Sequence, residues 1–184
     1  PLSHLPEAHE DAPRAVNGPR TGENGEAFLA GPENILVRSL AATVACETLP
    51  YNPLVLCGPS GVGKSAVAHA LAAQRRDQFQ FKSFIATTGS DFARSLADAI
   101  DNDSVADLRK RYQRCDLLLI DDLHRLAAKP AAQQFLLSVL DMLIHRGVLV
   151  LVTLRQLQQS TIDLFPNLAS RLAGGLIVPL APPG

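Results

Sequence analysis

Eight residues, Gly58, Pro59, Ser60, Gly61, Val62, Gly63, Lys64 and Ser65, stand between a short apolar run and an alanine-rich stretch. They fit the spacing G-x-x-x-x-G-K-[ST], in which the glycines let the backbone curl so that successive N–H groups point inward at phosphate oxygens. A helix starting directly behind such a loop adds the positive end of its dipole. Lys64 is the residue that reaches the β and γ phosphates, and the Ser65 hydroxyl the one that ligates Mg²⁺. Further along, LLLIDD from Leu117 to Asp122 sets two carboxylates at the end of an apolar run. Open α/β sheets bind ligands at the carboxyl ends of their strands. Asp121 is therefore read as holding Mg²⁺ through water, and Asp122 as orienting an attacking water.

These two features need a frame that brings them to one edge. Five short runs are apolar without alternation, the mark of strands buried on both faces: Leu54 to Cys57, Phe84 to Ala86, Leu117 to Ile120, Val148 to Val152 and Leu176 to Val178. Helical spacing fills the gaps between them. Ile35, Leu36, Leu40 and Val44 predict an amphipathic helix from Asn34 to about Glu47, closed by Pro50 and Pro53. Phe92, Leu96 and Ile100 predict another over Asp91 to Ile100, and Ser104 with Asp107 reads as a capping box opening a third. The alternation predicts βαβ units in an α/β fold, a P-loop NTPase with a five-stranded, mostly parallel sheet and helices on both faces.

Composition narrows the partners. At 47% hydrophobic residues over 184 positions, the chain has enough apolar surface for a packed core. With 17 Lys and Arg against 18 Asp and Glu, it lacks the concentrated basic surface of a general nucleic-acid binder, so any DNA contact is local. Cys46, Cys57 and Cys115 have no metal-ligand spacing and read as reduced thiols. No apolar run reaches membrane-spanning length and no signal-like start is present, so a cytoplasmic location is expected. Residues 1–26, rich in Pro, Glu, Gly and Asn, read as a flexible linker or tail. Residues 27–184 then form the nucleotide-binding core.

Beyond the phosphate loop, YNPLVLCGPSGVGKSAVAHALA at 51–72 resembles the ATPase domain of the bacterial replication initiator DnaA, a branch of the AAA+ ATPases. The likeness continues through FLAGPEN at 28–34, RYQRCDLLLIDDL at 111–123 and LASRLAGGLIVPLAPP at 168–183. It implies ATP with Mg²⁺ as the ligand, an AAA+ three-layer sandwich as the fold, and ATP-dependent self-assembly on origin DNA with slow hydrolysis. It also implies that Arg171 is an arginine finger reaching the γ-phosphate bound by a neighbouring subunit. Tyr51, Pro53 and Pro32 would border the adenine. A helical lid and a helix-turn-helix would follow Gly184. The segment Asp91 to Tyr112 occupies the place of an initiator's steric element beside single-stranded DNA. There Arg94, Arg109, Lys110, Arg111 and Arg114 are either a solvated helix face or DNA contacts. Lys129, His124 and Arg125 are ambiguous in the same way.

One departure bears on turnover. Where the resemblance implies an Asp or Asn after the fourth strand, this chain reads LVTLRQ; Arg155 takes the position and Thr153 is the polar substitute nearby. Slow intrinsic hydrolysis is expected. Two other readings remain open at this point: a regulator or helicase loader related to DnaA, and a nucleotide kinase, since GPSGVGKS is also similar to the guanylate kinase phosphate loop.

Overall fold

A computed structural model describes residues 35–155 and 164–181. The tail at 1–26, the FLAGPEN segment and Pro32 lie outside the described residues. Strands β1 (Leu54–Cys57), β2 (Phe84–Thr88), β3 (Leu117–Asp121), β4 (Leu149–Leu154) and β5 (Leu176–Pro179) form one sheet in the order β2-β3-β4-β1-β5. Every pairing is parallel. Helices α1 (Ile35–Val44), α2 (Lys64–Phe79), α3 (Gly89–Asp101), α4 (Val105–Gln113), α5 (Pro130–His145) and α6 (Pro166–Ala173) cover it. A short 3-10 turn, Leu123–Leu126, follows β3.

Strand side chains alternate between two separate cores. Leu54, Leu56, Leu117, Leu119, Leu149 and Leu151 pack with Leu40 of α1 and with Val67, Ala68 and Leu71 of α2. Val55, Leu118, Ile120, Val150 and Val152 face the other way, against Phe92 of α3, Tyr112 of α4, Leu136 of α5 and Leu168 of α6. Both faces of the central strands are thus dry, which is why their sequences show no polar alternation.

On the second face an aromatic trio locks three helices together. Phe92, Tyr112 and Phe135 stand with ring centroids 5.5 to 6.2 Å apart, in tilted and edge-on arrangements that suit aromatic quadrupoles. On the first face, α2 is tied to the end of α1 by a buried cation. Arg75 Nη1 donates to the carbonyls of Val44 (2.6 Å) and Cys46 (2.8 Å), and its guanidinium lies 4.5 Å from the Phe79 ring centroid. The carbonyls that α1 leaves unpaired at its end are what make this cation welcome there.

Element ends depart from the sequence expectations at several points. β2 runs on to Thr88 and β4 to Leu154, while α1 stops at Val44. α3 begins at Gly89, capped by Thr88, whose hydroxyl oxygen accepts from the Asp91 N–H at 3.1 Å. The expected capping box at Ser104 does not form: Ser104 stands at the N-cap of α4, but its hydroxyl turns back toward the Ala99 carbonyl at 3.5 Å. The end of α3 offers that acceptor first.

The three thiols differ in environment. Cys46 is exposed, while Cys57 and Cys115 are buried. Burial pushes the Cys115 thiol up to about 11 and raises that of Cys57, the latter opposed by Lys64. Only the thiolate reacts with disulfide reagents. In the native protein at pH 8, one thiol per chain should react rapidly, with Cys46→Ser abolishing that phase; two fast equivalents would contradict the burial of the other two.

Candidate functional site

The phosphate loop is rooted where three strands end. Leaving β1, the Gly58 N–H donates to the Leu154 carbonyl at 3.3 Å, and the Leu180 N–H donates to the Cys57 carbonyl at 2.6 Å. A side chain at Gly58 would meet the Leu180 carbonyl oxygen at 2.4 Å, so only glycine allows this close approach. Gly61 and Gly63 then take left-handed φ values of 83° and 92°, and Gly63 opens α2. Ser60, Gly61 and Ser65 are exposed, and Lys64 is buried to 6% of its surface. The Lys64 ammonium donates to the Pro59 carbonyl at 2.7 Å, spanning its own loop. A buried cation beside two left-handed glycines at the start of a 16-residue helix is a ready anion cradle.

The acidic strand tip faces the same space. Asp121 ends β3 directly after Ile120, and by alternation it shares the face of Leu117 and Leu119, on which α2 packs. Asp121 Oδ1 accepts from the Thr153 hydroxyl and, at 3.1 Å, from the Asp122 N–H. That N–H also donates to the Thr153 hydroxyl oxygen at 2.9 Å. Asp121 Oδ2 has no hydrogen-bond partner among the described residues, so one carboxylate oxygen stays available to a cation or its water. Asp122 turns out of the strand with φ 51° and starts the 3-10 turn, and α3 begins tight against it. A side chain at Gly89 would stand 2.7 Å from the Asp122 carbonyl oxygen.

No group of three or more His, Cys, Asp or Glu able to enclose a metal exists among the described residues. A cation here would rest on Asp121, Ser65 and oxygens supplied by water and a triphosphate, which fits Mg²⁺ and its retained hydration. The sheet order places β1 between β4 and β5, so this loop lies where successive crossovers diverge, the usual ligand crevice of open α/β sheets.

Residues 22–179 match the family model described as the bacterial DnaA ATPase domain. The chain belongs to that family. It is 30% identical over 158 residues to the chromosomal replication initiator protein DnaA of Desulfotalea psychrophila, covering 85% of this chain and 33% of that protein. With DnaA of Thermus thermophilus it shares 30% over 178 residues, covering 96% of this chain and 40% of the relative. The chain thus spans two fifths or less of these relatives. Domain III of Thermotoga maritima DnaA superposes with a TM-score of 0.81 at 27% identity, over 87% of this chain and 67% of that one. An AMPPCP-bound DnaA from Aquifex aeolicus gives 0.77 at 23% identity, a likeness of fold. The AAA+ P-loop architecture is therefore that of the DnaA ATPase domain, and the nucleotide-kinase alternative falls.

Within this DnaA-type core the remaining candidates separate. Thr153, fully buried at the end of β4, binds Asp121 directly, whereas Arg155 lies beyond the strand and is exposed. Of the two polar candidates after the fourth strand, Thr153 is the one in contact with Asp121. Arg171 stands in the last turn of α6, just before β5 enters the sheet beside Leu54, at the edge opposite the phosphate loop. Its Nε pairs with Asp141 of α5 at 2.5 Å, over a cavity of about 520 Å³ lined also by Asn52, Asn167 and Ser170.

Tyr51 is not brought to the cradle. It is 52% exposed and precedes β1 at that same far edge, roughly 20 Å of extended chain from Gly58. Pro53 is buried and its carbonyl accepts from the Leu176 N–H at 2.9 Å, a sheet-building role.

Three of the basic residues of α3 and α4 have partners within the chain. Arg94 pairs with Asp91 and Lys110 with Asp107, each at 3.1 Å, while Arg109 lies 5.4 Å from the Phe135 ring centroid. Lys129 is exposed ahead of α5. One residue was not singled out by sequence. Gln133, on the apolar face of α5, donates to the carbonyls of Leu126 and Ala127 at 2.9 Å and accepts from the Phe165 N–H at 2.6 Å. Its helical spacing from Leu136 and Leu140, which the core covers, was the available signal. His124, which the sequence left ambiguous, stands in the turn after Asp122.

Proposed function

We propose that this chain is the ATP-binding core of a DnaA-type replication initiator, which assembles on origin DNA in the ATP state and resets by slow hydrolysis. The observation that carries the reading is the separation of Lys64 and Asp121, at one edge of the sheet, from Arg171 at the other. In this reading the loop N–H groups and Lys64 bind the β and γ phosphates. Ser65 and Asp121 hold Mg²⁺, which neutralises charge on the phosphate oxygens. Thr153 keeps Asp121 turned into the site, and Asp122 orients the attacking water. Arg171 cannot reach the cradle of its own chain, so it serves the nucleotide of a neighbour. Assembly and turnover then depend on the same contact. The relatives' name, chromosomal replication initiator protein, supports DNA as the template for assembly.

Mixing two variants of the full-length protein tests this. Arg171→Ala should bind ATP normally yet neither assemble nor turn it over, and Lys64→Ala should not bind. Combined, they should regain part of the lost hydrolysis, because one supplies a loaded site and the other an intact Arg171. Loss of ATP affinity in Arg171→Ala alone would place the residue in cis and overturn the reading.

A further inference from the structure

The turn after β3 carries a buried polar atom that no described residue satisfies. His124 is largely enclosed, its side chain 15% exposed, and its Nδ1 is buried without a hydrogen-bond partner among the described residues. Native structures leave few such atoms, and those that persist tend to have a task. Asp122 Oδ1 stands at 3.8 Å, beyond direct hydrogen-bond reach but one small movement away. The charged groups acting on the ring are Asp122 and Arg125 from its own turn, Lys64 from the first turn of α2, and Arg155 from beyond β4. Burial, chiefly, and then the three cations hold the imidazole below its usual range, against the pull of Asp122. A neutral ring has one N–H to give, and its position relative to Asp122 decides where that N–H goes.

We propose that His124 is a positioning residue for Asp122: its Nδ1–H closes onto Oδ1, fixing the carboxylate so that Oδ2 faces the attacking water. This rests on the role given to Asp122 above. In that step the water oxygen bonds to the γ-phosphorus, the bond to the bridging oxygen breaks with its electron pair leaving on ADP, and the water's proton passes to Asp122. Asp122 needs such a restraint. Its backbone is left-handed, its carboxylate is more than a third exposed, and Arg125 Nε competes for Oδ2 at 3.7 Å.

Two measurements on the full-length protein decide the matter. In the nucleotide-free wild type at pH 7, ring ¹⁵N correlations should show His124 neutral with the proton on Nδ1, and Asp122→Asn should move the Nδ1 resonance. A predominant Nε2–H tautomer would overturn the proposal without any variant. In turnover, His124→Asn keeps an amide where Nδ1 stands, His124→Gln places it nearer Nε2, and His124→Leu has none. Leu and Gln should lower kcat roughly 10- to 100-fold with KM for ATP unchanged, and Asn should recover most of it. A change in KM alone, or equal loss in all three variants with native melting temperatures, would overturn the positioning role. If His124→Leu is silent while Asp122→Asn stops hydrolysis, His124 is dismissed and Asp122 stands. If Asp122→Asn is itself silent, the underlying reading has failed.

Discussion

Lys64→Ala should erase the thermal stabilisation that ATP gives this protein. A ligand present at 100 times its Kd stabilises the folded state by about 2.7 kcal/mol, and the variant should show none of that shift at the same concentration. The expectation rests on where the ammonium is held. It is almost wholly enclosed by the loop it serves and rests on the Pro59 carbonyl, a single neutral partner that a triphosphate readily replaces. Charge-assisted contacts to phosphate are roughly twice as strong as neutral hydrogen bonds, so the exchange favours the ligand. Without nucleotide the variant loses one hydrogen bond from a charged donor, worth roughly 1.5 to 3 kcal/mol, but is also relieved of a buried charge, so it should melt within several degrees of the wild type. Melting curves with and without MgATP check both statements. An undiminished shift would show that triphosphate binds elsewhere.

The second large effect is on the fold itself. A methyl at Gly175 would stand 1.9 Å from the Pro53 carbonyl oxygen and 2.8 Å from two further Pro53 atoms, none of them the end of a flexible side chain. This is also where β5 first joins β1, through the Leu176 N–H on that same carbonyl. Gly175→Ala must push the edge strand away, so the loss should exceed the roughly 1 to 3 kcal/mol usual for overpacking. Gly147→Ala is the control. Its φ of 70° makes alanine strained, yet nothing lies within 4 Å of the added carbon, so the cost should stay near the 1 to 2 kcal/mol of a left-handed residue. Urea unfolding of the two variants gives the comparison. Gly175→Ala should also weaken ATP binding, because β5 leads to Leu180, whose N–H anchors the root of the phosphate loop.

What the sequence revealed and what it concealed divide along physical lines. The phosphate loop was legible because its chemistry is local: glycines for backbone curl, Lys64 and Ser65 at fixed offsets, a strand before and a helix behind. The strands were legible because burial on two faces leaves an unbroken apolar run. Which polar group supports Asp121 was not, since it depends on β4 lying against β3 with Ile120 opposite Val152, a register no linear pattern displays. The resemblance set Tyr51 beside the adenine, but Tyr51 precedes β1, and that strand separates it from the phosphate loop along the sheet. The Arg171 contact with Asp141 needs two helices distant in the chain to meet. Ser104 had the right spacing for its box and a nearer acceptor in the preceding helix.

Helix α5 deserves a mechanical reading. It is one unbroken rod of 16 residues, about 24 Å long, with Gln133 clamped to the acidic turn near its start and Asp141 gripping Arg171 two turns later. Interiors packed this tightly shift as units instead of flexing. In the proposed assembly, a tilt begun at the Asp122 turn would be carried along this rod to Arg171, gearing each subunit's contact with its neighbour to the state of its own carboxylates.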